Sequence, residues 1–150
     1  MATAGMNIEY ALETGIITEL QKRTYFAQGG AGAGTSIIHF MDNSIAERPV
    51  KYVVVHAQPA ERLQPNYPYY KVSVSLVSLS HIPNDKSRAS CRALYQECLD
   101  FIQKFDKGAV STASGLTIDG SVAQGGSESA DWGENYQNQI ANFDVYLTKT

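Results

Sequence analysis

At 150 residues the chain is about one domain long, a size whose core needs no covalent staple. Charged residues make up only 18% and the net charge is −3, which excludes the basic footprint of a protein whose main ligand is free nucleic acid or an anionic membrane. Nine Tyr and five Phe exclude a disordered chain. The amino terminus, MATAGMNIEYALE, lacks a basic stretch followed by an apolar one and does not read as a signal peptide. No apolar run approaches the ~18–20 residues of a membrane span. A soluble protein made in the cytosol is therefore expected.

In chain order, Asn7 to Arg23 reads as an amphipathic helix. Ile8, Ala11, Leu12, Gly15, Ile16, Glu19 and Leu20 keep the i, i+3, i+4 spacing, Asn7 is the cap, and Lys22 and Arg23 sit where the helix dipole favours cations. Gln28 to Ser36, QGGAGAGTS, is predicted to be a flexible loop, because glycine loses the most backbone entropy in a regular element. Ile37 to Met41 and Val50 to Ala57 read as short strands, and Gln58 to Pro68, with three prolines, as a connection.

Tyr69 to Ser80 carries the clearest strand pattern. Tyr70, Val72, Val74 and Leu76 alternate with polar residues, then the phase slips to Val77 and Leu79, which predicts a bulge near Leu76–Val77. Asn84 or Asp85 is expected to cap a helix with apolar positions Cys91, Leu94, Cys98, Phe101, Ile102 and Phe105, which Gly108 ends or closely follows. Cys91 and Cys98, two helical turns or ~10 Å apart, are too distant for a disulfide and read as small buried hydrophobes. Leu116, Ile118 and Val122 mark a weaker strand. Ala123 to Glu134 is expected to be an extended, flexible acidic loop, and Tyr136 to Thr148 a closing strand with Phe143, Val145 and Leu147 on one face. The predicted fold class is α+β: a single domain, 1–150, with a mostly antiparallel β-sheet and helices packed on one face.

Motifs for chemistry are approached but not completed. The glycine run lacks the Lys of a phosphate-binding loop, since Gly34 is followed by Thr35 and Ser36. Gly125-Gly126-Ser127-Glu128-Ser129 lacks the last glycine of a nucleophile elbow. His39, His56 and His81 have no metal-ligand spacing and read as hydrogen-bonded structural histidines. Asp119, Glu128, Asp131 and Glu134 lack the pattern of a calcium loop and read as a solvated surface. No catalytic residue, metal or cofactor is expected. Trp132, alone in a polar segment, is a candidate contact residue. Charge is uneven: residues 1–105 carry ten basic and nine acidic groups, and residues 106–150 two and six.

The segment YYKVSVSLVSLSHIPNDKSRASCRALYQECLDFI resembles the centre of the tail-terminator proteins of long-tailed bacteriophages, where a sheet strand turns into the main helix. DWGENYQNQIANFDVYLTK is similar to that family's closing strand. The resemblance implies a virion subunit, assembled in the host cytoplasm, that closes into a hexameric ring. The ring caps the tail tube, stops its polymerisation and meets the head–tail connector and neck proteins. DNA would pass through the bore without specific binding, and no membrane is involved. On this reading Gly29, Gly30, Gly32, Gly34, Glu128, Asp131, Trp132 and Glu134 are candidate partner-interface residues, and Asp119, Glu128 and Asp131 candidate lumen residues. The alternatives are another neck, tail-completion or head-completion subunit and, from a different class, a small cytosolic enzyme or ligand-binding module. A deep apolar pocket containing His39, His56 or His81 beside an acid would favour the last.

Overall fold

The structure, a computed structural model, describes residues 7–40, 50–129 and 136–149, with the backbone alone for 127–129. It is an α+β fold of three helices and a six-stranded sheet. Helix α1 (Ile8–Gln21) starts where Asn7 Oδ1 accepts the Tyr10 N–H at 2.8 Å, the cap the sequence implies. Its stripe buries Leu12, Ile16 and Leu20 completely, each worth ~1.5–3 kcal/mol of transfer free energy. Strands β1 (Ser36–His39), β2 (Lys51–Ala57), β3 (Glu61–Gln64) and β4 (Tyr67–His81) follow. Then come α2 (Ala89–Gln103), α3 (Lys107–Ser114), β5 (Thr117–Ser129) and β6 (Tyr136–Thr148).

The sheet order is β1-β2-β4-β6-β5, with β3 paired to the start of β4. Every pairing is antiparallel except β1 with β2. The helices cover one face, where Val53, Val55, Val72, Val74, Leu76, Phe143, Val145 and Leu147 form the main core with residues of all three helices.

The expected bulge at Leu76–Val77 is absent. Pairing runs without a shift from Lys51↔Ser80 to Ala57↔Val74 on one side of β4, and from Tyr69↔Thr148 to His81↔Tyr136 on the other. The change of phase in the sequence is a change in what each face needs. Ser78 and Ser80 stay on the helix-covered face, buried near Cys98 and Asp85. Val77 and Leu79 point the other way, into a second apolar cluster with Tyr52, Val54 and Tyr136. Shifts occur in β5 instead, between Ile118 and Gly120 and between Ala123 and Gly126, and the first leaves Val122, which sequence placed in phase with Ile118, 49% exposed.

Three further differences from the sequence reading concern element boundaries. The proline-rich connection contains β3, which forms a hairpin onto β4. The second helix ends at Gln103, and Gly108 lies inside the first turn of α3, which Asp106 caps through the Ala109 N–H at 3.1 Å. The expected loop from Ala123 is strand as far as Ser129, because β6 supplies hydrogen-bonding partners that override low strand propensity. Gly126 fits there since an added Cβ would lie 2.6 Å from the Tyr95 hydroxyl and 2.5 Å from the Ile140 carbonyl. Cys91 and Cys98 are buried and unbridged, and burial pushes the Cys98 thiol up to about 12.

Candidate functional site

An open cleft of about 500 Å³ lies where the first turns of α1 meet the ends of β1 and β2, lined by Asn7, Glu9, Tyr10, Glu13, Phe40, His56, Ala57 and Pro59. Glu13 falls on the buried side of α1, and its carboxylate is clamped. His39 donates from Nδ1 to Glu13 Oε1 at 2.9 Å, and the Ala57 N–H donates to Glu13 Oε2 at 2.8 Å. The Ala60 N–H donates to Glu9 Oε2 at 2.5 Å. These bonds tie α1 to the end of β2 and the segment after it. Two ring stacks form the walls: Tyr10 lies 4.2 Å from His39 and Phe40 3.8 Å from His56, centroid to centroid.

This arrangement joins His39 to an acid, Glu13, which their sequence separation of 26 residues hid, while His56 meets the Gln58 side chain and the Phe40 ring. A carboxylate inside an otherwise apolar helical stripe was the available signal. Both Glu13 oxygens are engaged, and among the described residues the lining side chains include no Ser, Thr or Cys. Removing the clamp in Glu13→Ala is expected to leave the Ala57 N–H without its acceptor and cost about 2 kcal/mol in urea unfolding. Glu13→Gln, which keeps one acceptor, is expected to cost less. His81 lies elsewhere, its Nδ1 2.6 Å from Asn84 Oδ1.

The glycine run is a chain of turns wrapped around Tyr25. The Gly32 N–H donates to the Tyr25 carbonyl at 2.8 Å, and an added Cβ at Gly32 would lie 2.0 Å from the Tyr25 ring. Gly30 sits against the Thr24 and Tyr25 carbonyls, while Gly29 and Gly34 adopt positive φ with open space around them. Beside this run Arg23 joins α1 to α2 by donating from Nε to Glu97 and from Nη2 to Asp100 at 2.5 Å. That guanidinium holds the Asp100 carboxyl below its usual range.

Asp119 is exposed and accepts the Thr148 hydroxyl at 3.1 Å. Glu128 lies opposite Gln139 near the far end of β5, ~30 Å from Asp119 at ordinary strand rise. Asp131, Trp132 and Glu134 lie outside the described residues. Among the described residues no group of three or more His, Cys, Asp or Glu side chains is placed to hold a metal ion, and no helix is long and apolar enough to cross a membrane.

The fold is shared end to end with a chain of the virion of a native gene transfer agent particle. The match has a TM-score of 0.55 at 13% identity and covers 98% of each chain. No family model and no curated protein matches the sequence.

Proposed function

We propose that the protein is a structural component of a virion, one that caps a phage tail tube as a ring, stops tube polymerisation and forms the head–tail joining interface. The observation that carries this reading is the fold match over 98% of both chains to a component of a virion. The agreement runs along nearly all of both chains and is not confined to one common motif.

The flanks support a ring. The sheet ends in the four-residue β1 on one side and the thirteen-residue β5 on the other. Two unlike flanks supply the two different surfaces of a head-to-tail contact, which closes into a ring when the rotation closes. Gly29, Gly30, Gly32 and Gly34, with Glu128, Asp131, Trp132 and Glu134, are the proposed surfaces toward tube and neck. Asp119, Glu128 and Asp131 are proposed to face the bore, where acidic groups lower the attraction that basic ones exert on DNA phosphates. The role is proposed to be non-enzymatic: both Glu13 oxygens serve to hold α1 against β1 and β2.

Native mass spectrometry of the concentrated protein, with negative-stain images in the presence of tail tubes, tests the reading. Six-fold rings and caps at tube ends are the expected result. A ring bound to the portal alone would move the protein to a head-completion role, and a monomer that ignores tubes would remove the proposal.

A further inference from the structure

We infer that the cleft beside α1 receives the Arg92 guanidinium of a neighbouring copy of this chain. The inference rests on the ring reading above and names one of its contacts.

Glu9 and Glu13 give the cleft two carboxylates, of which Glu13 is engaged at both oxygens, and among the described residues no Lys or Arg lines it. Glu9 Oε2 is held by the Ala60 N–H, and among the described residues Glu9 Oε1 has no partner. At the rim Tyr10 and Phe40 are 60% and 48% exposed, large aromatic surfaces that solvent alone does not favour. Each ring has one face against a histidine, so the exposure leaves ring surface for another planar group. Acid plus open aromatic face is the combination that selects a guanidinium, which is planar, weakly hydrated and always charged.

Of the four arginines among the described residues, one has an unengaged guanidinium. Arg23 is paired with Glu97 and Asp100, Arg62 bonds the Gln64 carbonyl and lies over Tyr70, and Arg88 bonds the Asn138 carbonyl. Arg92, on the exposed side of α2, has no hydrogen-bond, ion-pair or ring partner for its side chain among the described residues. It does not reach the cleft of its own chain. The start of α2 is anchored through Cys91 to Ser78, near the Lys51 end of β2, whereas the cleft is at the Ala57 end. Ser78 pairs with Val53, roughly 13 Å along the strands from Ala57 and about twice an arginine's reach. Donor and acceptor patches on different parts of one molecule make a heterologous contact, the kind a closed ring repeats.

Native mass spectrometry over a concentration series would follow ring formation by wild type, Arg92→Ala, Tyr10→Ala and the double variant. Arg92 has no side-chain partner among the described residues, so thermal unfolding of Arg92→Ala should match wild type, while Tyr10→Ala, which loses its stack on His39, should unfold slightly lower and still be folded at the assembly temperature. Each single change is expected to raise the half-assembly concentration at least ~tenfold, with the double variant little worse than either. Arg92→Lys should restore only part, because an ammonium neither stacks nor forks. Rings from Arg92→Ala at wild-type concentration overturn the contact while the ring reading stands, as do single effects that simply add. Loss of rings in Tyr10→Ala alone assigns the cleft to another occupant and equally overturns the role of Arg92. A wild-type chain that never assembles overturns both readings.

Discussion

Asp85→Ala is expected to destabilise the protein by about 4 kcal/mol in denaturant unfolding, since it removes a helix cap and strands several buried donors at once. Helix α2 begins at Ala89 behind Arg88, whose backbone is left-handed at φ 63°, and Arg88 supplies no side-chain cap. Asp85 does the capping from upstream. Its Oδ1 accepts the Ser90 N–H at 3.0 Å, and its Oδ2 accepts the Cys91 N–H at 2.9 Å and the Ser80 hydroxyl at 2.8 Å. Gln137 Nε2 donates to the Asp85 carbonyl at 2.7 Å and to Ser80 Oγ at 3.1 Å, so that β4, β6 and the start of α2 meet at one carboxylate. With Asp85 only 7% exposed, water cannot replace the lost acceptor.

The same site gives a pH dependence. Burial pushes the Asp85 carboxyl up, but the N–H groups of Ser90 and Cys91 and the Ser80 hydroxyl more than offset this and hold it below its usual value. The unfolded chain therefore binds the proton at higher pH than the folded one does. Stability from Asp85 is fully present above the ordinary carboxylate range, and is lost as pH falls through the lowered folded value. Urea midpoints measured from pH 7 down to pH 2 should fall less steeply for Asp85→Ala than for wild type. Parallel slopes would mean that the carboxylate is not ionised in this network.

Gly15→Val is expected to cost about 3 kcal/mol, by overpacking the crossing of α1 with α3. A Cβ at Gly15 would lie 2.8 Å from Ser114 Cβ and 3.1 Å from the Val110 carbonyl, both on α3. An alanine in a helix interior ordinarily gains ~1 kcal/mol over glycine, so Gly15→Ala separates propensity from packing. Here backbone and a short, buried side chain block the added atom, and Gly15→Ala should lower the unfolding midpoint too. Ser114→Gly in the Gly15→Val background should recover part of the loss. A stabilised Gly15→Ala would show that the two helices separate freely at this crossing.

Local pattern by itself determined much of this protein. The period of 3.6 marks α1 and the start of α2, alternation marks the middle of β4 and the end of β6, and Asn7 and Asp85 announce helix starts through side chains that reach backbone donors nearby. These signals are legible because cause and effect lie within a few residues. The tertiary structure decided what depends on partners distant in sequence. β6 makes a strand of the glycine-rich 123–129 segment by offering it hydrogen bonds. Apolar demand on both faces keeps β4 in register where its sequence changes phase. Tyr25 turns the glycine run into a wrapped coil of turns, since only residues without Cβ fit against its ring and carbonyl. The cleft was the least legible feature: Glu13, His39 and Ala57 come from three elements, and a hydrogen bond between them leaves no periodic trace in the chain.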